Sequence, residues 1–406
     1  MLIDELNEVL SEKIVDQIEK INTEILTQIG KTIKEIGNMT PSQAQQLVNI
    51  LKYGGKYEEI TNEIAKITNK SLAEIDDIFK QVADANNNFS KQFYKYRGIN
   101  FIPYAKNEAL QQYTKTWSDV AKRTFLNMTN SNTLGYGFQN ADGTLTFKGL
   151  KETLHDTIDE AVMSITQGKT TFQEEMNRVI TDMGENGLRT ISEKTYIDKN
   201  GVEKHYTRRL DSSVRMYMSD ALRDFANDMQ LKIGDEIGAD GVEISVHENP
   251  APDHAPLQGR QFTMKEFLDI QAGEYGRAIG EYNCYHTVFA VVLGVSKPRY
   301  TDEQLQKINN DNKKGFDFDG NHYTNYQGTQ LQRKIETEIR KQKDIQIGAV
   351  ASGSDDLIRK SQQRITQLTT KYKQLSDASG LPTKAERMKV SGYKRVKIKE
   401  EVKKWG

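Results

Sequence analysis

The sequence is poor in cysteine, proline and long apolar runs, and these shortages exclude several classes of protein. One cysteine in 406 residues excludes an internal disulfide framework, which fits synthesis in a reducing cytoplasm. No apolar run is close to the length of about 20 residues that a membrane-spanning helix needs. The acidic start of the chain lacks the basic region of a secretory signal. The sequence therefore predicts neither membrane association nor secretion.

Charge is nearly balanced overall but is unevenly distributed. The formal net charge is −1, yet residues 1–90 hold 15 acidic against nine basic residues. Residues 384–404 hold nine basic against three acidic ones. This basic segment could contact phosphate groups; a solvated terminus without a partner is the alternative. The candidate nucleic-acid contacts are Lys394, Arg395, Lys397, Lys399, Lys403 and Lys404.

Most of the chain has the periodicity of amphipathic helices. Apolar residues recur from Leu6 to Ile36 about every 3.75 positions, which predicts one long helix. Capping-box patterns predict that further helices begin at Thr40 and Ser71, with Gly54-Gly55 ending the first of them.

A second long apolar stripe predicts a helix at about 210–237 that ends at Gly238. Thr301 begins another capping box, so a helix is expected at about 302–310. The aromatic-rich residues 93–137 are expected to belong to the core or to a subunit contact. Other helices are predicted at 149–166, 171–184, 264–271, 327–344 and 355–376.

Strand signals are few. Asn200-Gly201 predicts a hairpin, and Asp142-Gly143 predicts a turn into a short strand at 144–147. Residues 242–246 and 287–293 are further candidate strands. The fold class expected is α+β and predominantly helical. The predicted divisions are a helical N-terminal domain (1–90), an aromatic-rich helical middle region (91–189), an α+β module (190–301), a helical extension (302–383) and a basic tail (384–406).

Three of the six histidines and the only cysteine lie between residues 242 and 301. His247, His254, Cys284 and His286 are the residue types of a zinc site, and Cys284 and His286 would point to the same side of an extended segment. Paired CxxC elements are missing, however. We therefore favour histidines that hydrogen-bond loop backbone and a small buried cysteine, with no metal or other cofactor. Zinc bound by these four residues is the alternative.

The sequence gives less support to a catalytic role for these residues than to a structural one. Cys284 could act as a nucleophile with His254 or His286 and with Asp253 as the orienting group, but no oxyanion-hole motif accompanies them. The Asp317–Asp319 stretch is ordinary turn chemistry. Arg209, and Arg208 before it, are expected to form ion pairs with Asp211 or nearby acids, although both arginines could bind phosphate. The chain contains no P-loop, dinucleotide fingerprint or HExxH motif, and we predict no enzymatic activity.

The motifs of this region follow a definite order. They are His247, Asp253-His254, Gln258-Gly259, Phe262, Asn283-Cys284, His286, Gly294-Val295-Ser296 and Tyr300-Thr301. This order resembles the phage minor capsid protein 2 family and, more distantly, the Mu gpF-like (MuF) head-morphogenesis domain. The similarity extends over roughly residues 90–345. Pro252-Asp253 and Tyr285 depart from the pattern, since an arginine and a serine usually precede the histidine and an arginine commonly follows the cysteine.

The resemblance implies a non-enzymatic, minor structural protein of a tailed-phage head, close to the portal vertex, made in the bacterial host cytoplasm. It implies a role in head assembly and in DNA packaging or ejection. The implied partners are the portal protein, the major capsid protein and packaged double-stranded DNA, with an oligomeric arrangement in the virion. The motif residues would then brace loops or a docking surface. MuF-type modules can also be fused to toxins, so a toxin-like or metal-dependent hydrolase effector is the alternative function.

Overall fold

The computed structural model describes residues 3–37, 55–139, 145–153, 156, 160, 163, 170–197, 201, 203–280 and 284–396. The helices are α1 (Ile3–Gly37), α2 (Gly55–Tyr96), α3 (Glu108–Thr129), α4 (Phe172–Asn186), α5 (Leu210–Ile237), α6 (Met264–Gln271), α7 (Asp302–Lys314), α8 (Asn325–Ser352) and α9 (Asp355–Ser379). The strands are β1 (Leu134–Gln139), β2 (Leu145–Gly149), β3 (Leu188–Ile197), β4 (Glu203–Arg209), β5 (Gly241–Ile244), β6 (Gln261–Thr263), β7 (Val288–Val291), β8 (Phe316–Phe318) and β9 (Asn321–Tyr323). This arrangement confirms a predominantly helical α+β fold.

The strands form small antiparallel sheets. One sheet has the order β2-β1-β3-β4, a second has the order β6-β5-β7, and β8 pairs with β9 as a hairpin. Ile197 of β3 lies opposite Glu203 of β4, which confirms the hairpin predicted at Asn200-Gly201. β2 confirms the strand predicted after Asp142-Gly143, although that turn lies outside the described residues.

The long helices follow the predicted stripes. Residues Leu10, Ile14, Ile18, Ile21, Ile25 and Ile29 of α1 are all buried, because a period near 3.6 keeps them on one face. The predicted stripe of α5 is also buried, and Gly238 ends that helix in the left-handed conformation with φ 72°. Capping boxes at Thr301 and Thr324 begin α7 and α8.

One helix start was predicted wrongly. Ser71 was expected to begin a helix, but it lies in the middle of α2, and its hydroxyl donates to the carbonyl of Ile67 at 2.9 Å. A buried serine inside a helix can bond back to the preceding turn in this way, so a capping pattern alone does not mark a start. The predicted boundary at 90/91 falls within the same helix. The helix start predicted at Thr40 lies outside the described residues.

One large core joins both ends of the chain. Its buried apolar residues come from α1 to α5, from α8 and α9 and, near the end of the described chain, from Val390. A second cluster lies under the β6-β5-β7 sheet and includes Val242, Phe267 and Val288. α5 supports this sheet, since Asn227 Oδ1 accepts the backbone amide of Val288 at 3.0 Å. We call β5 to β7 with α6 the small module.

The aromatic-rich segment 93–137 contributes to the core and also to the surface. Phe125 and Tyr136 are fully buried, and Tyr94 is 7% exposed. Tyr96 is 83% exposed and Phe93 is 41% exposed. The interpretation of this segment as core is therefore confirmed for part of it.

Helices α1, α4 and α8 approach closely at glycines. A Cβ atom at Gly184 of α4 would lie 2.4 Å from Ile345 Cγ1 of α8, and one at Gly348 would lie 2.8 Å from Ile180 Cγ2. A Cβ atom at Gly30 of α1 would lie 2.8 Å from the Cβ of Ala351. Only glycine allows these three helices to pack at this distance.

Buried ion pairs lie where α5 begins. Arg209 contacts Asp211 at 3.3 Å and Asp344 at 2.9 Å, and Arg340 contacts Asp211 at 2.9 Å. The pairing predicted for Arg209 is thereby confirmed, whereas Arg208 is exposed and lies against Met216. Because charged groups are costly to bury alone, these side chains depend on one another.

The beginning and end of the described chain meet beside this network. The hydroxyl of Thr23 donates to the carbonyl of Ser391 at 2.6 Å, and the amide of Ser391 donates to Glu19 Oε2 at 3.0 Å. The carbonyl of Arg387 accepts from Arg340 at 2.6 Å. The first part of the basic segment is therefore packed against α1 and α8. Among the described helices, none is both long and apolar enough to cross a membrane.

Candidate functional site

The small module brings most of the predicted site residues to one end of its sheet. β5 and β7 pair antiparallel with Ile244 opposite Val288, so the loop after β5 and the segment before β7 are neighbours. His247, His254 and Gln258 belong to that loop, and Cys284 and His286 belong to the segment.

The thiol of Cys284 lies between two imidazoles. Its Sγ is 3.3 Å from His254 Nδ1 and 3.4 Å from His286 Nδ1. All three residues are at most 3% exposed, and the prediction that Cys284 and His286 point to the same side is confirmed. His247 lies beside them, with its ring centroid 4.5 Å from that of His286.

Gln258 ties the loop to this cluster. Its Oε1 accepts the backbone amide of His247 at 2.9 Å and lies 3.3 Å from His286 Nε2. Its Nε2 lies 3.4 Å from Asn309 Oδ1 on α7. With 1% exposure, this side chain is a buried hydrogen-bond centre.

Asp253 fastens the loop to a different segment. Its carboxylate accepts two hydrogen bonds from Arg277, at 2.8 and 3.1 Å, and this pairing lowers the pKa of Asp253 to about 2. The nearest carboxylate oxygen is 4.0 Å from His254 Nε2, which instead lies 2.9 Å from the carbonyl of Arg277. Asp253 therefore does not hold the His254 imidazole in the way that the carboxylate of a catalytic triad does.

Burial dominates the electrostatics of the cluster. It lowers the pKa of His247 to about 4 and holds the pKa of His286 well below its usual value. It also raises the pKa of the Cys284 thiol. The imidazoles of His247 and His286 are consequently neutral at pH 7. Without a cation the thiol keeps its proton, which argues against a cysteine nucleophile because the thiolate is the reactive form.

A groove of about 420 Å³ runs beside the cluster, between the small module, α8 and the segment after α9. Tyr285 is one of the residues that line it. The guanidinium of Arg223 lies 4.5 Å from the ring centroid, Lys384 Nζ lies 5.5 Å from it, and Arg333 lies 5.9 Å from it. Arg387 donates a hydrogen bond to the Tyr285 hydroxyl. The groove is thus rich in positive charge around an aromatic ring.

The other candidate residues lie apart from the cluster. Gly259 has φ 70°, which glycine adopts without steric cost, and Phe262 packs against the core of the small module. Lys394 and Arg395 are exposed. Asn283 and the tail residues Lys397, Lys399, Lys403 and Lys404 lie outside the described residues. The Asp317–Asp319 stretch forms the β8–β9 hairpin, as turn chemistry predicted.

Sequence reasoning missed several residues of the site. Arg277, Arg333 and Arg387 were not singled out, because their partners are 24 or more residues away in the sequence. A glycine before Arg277 marked only a loop. Tyr285 was noted solely as a departure from the family pattern, yet it is the residue around which the groove's cations gather.

Comparison with known proteins identifies a family. No curated protein and no solved structure matches the chain. The model of the family named phage minor capsid protein 2 matches residues 2–377. This match extends beyond the roughly 90–345 over which the motifs suggested a resemblance, and includes α1, α2 and nearly all of α9. The chain belongs to the phage minor capsid protein 2 family.

Proposed function

We propose that this protein is a structural component of a tailed-phage head that acts near the portal vertex, in head assembly and in DNA packaging or ejection. Membership of a minor capsid protein family supports a structural role in the head. The implied partners are the portal protein and the major capsid protein. A catalytic role has little support, since the cluster's thiol is buried and protonated when no cation is bound.

The groove around Tyr285 is the observation that supports a role in docking a partner protein. Four cationic side chains line it (Arg277, Arg333, Lys384 and Arg387). The opposing carboxylates are those of Glu248 and Glu336 in the lining and that of Asp253, which pairs with Arg277. A groove with an excess of positive charge favours an acidic partner surface. The ion pair between Asp253 and Arg277, together with the hydrogen bonds of Gln258, holds the groove wall in place.

Fractionation of phage particles tests the proposed place in the head. The protein should copurify with the portal protein in DNA-filled heads and in procapsids. An Arg333→Glu variant should be incorporated less, because it reverses a charge in the groove. Lys66→Glu reverses an exposed charge on α2 and serves as the control. Absence of the wild-type protein from virions and procapsids would contradict the proposal.

Direct DNA contact is the second part of the proposal. Lys394 and Arg395 are exposed at the end of the described chain, and neutralised phosphates release counterions, so the affinity should fall with salt. Filter binding across salt concentrations should show weaker binding and a shallower salt slope for Lys394→Gln/Arg395→Gln and for deletion of residues 397–406. A Lys66→Gln/Lys80→Gln variant on α2 is the control. Unchanged slopes in both tail variants would dismiss DNA contact through this segment.

A further inference from the structure

The cluster around Cys284 holds more hydrogen-bond acceptors than protons. His254 Nε2 lies 2.9 Å from the carbonyl oxygen of Arg277. Because a carbonyl oxygen only accepts, this nitrogen is the protonated one when the ring is in its uncharged form. His254 Nδ1 is therefore an unprotonated lone pair, and it faces Cys284 Sγ at 3.3 Å.

The same reasoning fixes the proton on His286. Gln258 Oε1 accepts the backbone amide of His247 at 2.9 Å, and since an amide N–H only donates, the orientation of the Gln258 carboxamide is set. His286 Nε2, 3.3 Å from this oxygen, must then be the protonated nitrogen. Its Nδ1 is a second lone pair, and it faces Cys284 Sγ at 3.4 Å.

A thiol cannot satisfy both lone pairs. Cys284 has one proton to donate, and its sulfur also accepts the backbone amide of His286 at 3.4 Å. One imidazole lone pair is left facing sulfur in a buried position, which is unfavourable. A cation held by the deprotonated sulfur and both nitrogens removes the conflict. The carbonyl acceptors behind His254 and His286 are the outer partners that metal-binding histidines usually have.

The distances suit zinc. In a tetrahedral site with Zn–S of about 2.3 Å and Zn–N of about 2.0 Å, a sulfur and a nitrogen ligand lie about 3.5 Å apart, close to the observed 3.3 and 3.4 Å. The three ligand atoms all lie within 4.8 Å of one another. His247 is the candidate fourth donor, since its ring centroid lies 4.5 Å from that of His286 and its Nε2 is buried without a hydrogen-bond partner among the described residues.

We propose that the chain binds one Zn²⁺ ion through His254 Nδ1, Cys284 Sγ and His286 Nδ1, with His247 Nε2 as the fourth donor. On binding, the thiol proton is released to solvent and the sulfur forms the Zn–S bond. The ion joins the loop after β5 to the segment before β7 and so fixes one wall of the groove. The proposal does not depend on the protein's place in the phage head.

Metal titration of the full chain, without a polyhistidine tag, tests this proposal. Metal-free protein is titrated with Zn²⁺ against a chromophoric chelator, and separately with Co²⁺. Wild type should bind one Zn²⁺ per chain. The Co²⁺ form should show thiolate charge-transfer absorption and the intense visible bands of a tetrahedral site. Cys284→Ser should lower the zinc affinity at least about 100-fold, while His322→Gln, an exposed histidine paired with Asp317, should leave it unchanged.

Circular dichroism checks whether Cys284→Ser folds. If it does not, the wild-type Co²⁺ spectrum decides, because only coordination by the single thiolate gives the charge-transfer band. Binding of less than about half an ion per chain by wild type, absence of that band, or an unchanged affinity in a folded Cys284→Ser would each overturn the proposal.

Discussion

Single charged residues determine much of this protein's stability, because several are buried against one another. Asp211 has a side-chain exposure of 9% and pairs with Arg209 and Arg340, which are 10% and 5% exposed. The two guanidinium groups hold the pKa of Asp211 well below its usual value, despite the opposing effect of burial.

Asp211→Asn should therefore destabilise the fold by about 3–5 kcal/mol, because it leaves buried guanidinium charge uncompensated. Urea denaturation monitored by circular dichroism measures the loss. Glu63→Gln breaks an exposed pair with Lys66 and should change the stability by less than about 0.5 kcal/mol. Equal effects of the two substitutions would contradict the role given to the buried pairs.

Glu19 should make stability depend on pH. Burial, and next the nearby Asp211, raise the pKa of Glu19 to about 8 from its usual 4.5. Between these values the folded state binds more protons than the unfolded state, so stability falls as the pH rises through this window. Since one pKa unit corresponds to about 1.4 kcal/mol, the loss should be on the order of 4 kcal/mol from about pH 5 to about pH 9.

Glu19→Gln should remove much of this loss while keeping the acceptor that binds the amide of Ser391. Denaturation of wild type and variant across this pH range is the measurement. If the variant loses as much stability on the alkaline side as wild type, Glu19 is not the responsible group. Exposed Glu63→Gln again serves as the matched control.

Among the elements, the close contact of α4 and α8 is the most sensitive to substitution. Alanine favours a helix over glycine by about 1 kcal/mol, yet a Cβ at Gly184 would lie 2.8 Å from the backbone nitrogen of Ile345. Because backbone cannot rotate away, Gly184→Ala should destabilise by about 1–3 kcal/mol. Gly149→Ala in β2 is the control, since no atom lies within 4 Å of its added Cβ. Thermal denaturation of both variants would show whether the helix contact is as tight as described.

The sequence predicted the individual helices and their ends better than it predicted the contacts between elements. The stripes of α1 and α5 and the caps at Thr301 and Gly238 were predictable, because they depend on residues close together in the chain. The failure at Ser71 shows the limit, since the same four-residue pattern can occur inside a helix. The sequence indicated that His247, His254, Cys284 and His286 are neighbours. It did not indicate that Gln258 bonds to His247 and His286 or that Arg277 holds Asp253. These contacts form only when the loop folds back, and no local pattern specifies that.

At the scale of the whole molecule, the segment after α9 is part of the core rather than an appendage, as far as the described residues extend. Arg387 and Val390 are buried, and Ser391 bonds to α1. Removing residues 384–406 should therefore lower the melting temperature by several degrees, because it uncovers apolar residues of α1. Removing only 397–406 leaves these contacts in place and should have little effect. Equal melting temperatures for all three proteins would show that the contacts contribute nothing.

The contact between residues so far apart in the sequence also affects how two copies of this chain could associate. Glu19 and Ser391 are 372 positions apart, and pairings of such separation form slowly during folding. The apolar face of α1 also packs against α5 and α8, which lie far along the chain. Until they pack, part of that face is uncovered and could meet the matching surface of another copy. Where many chains are made together, exchange of α1 between two of them would bury the same area and yield an intertwined pair.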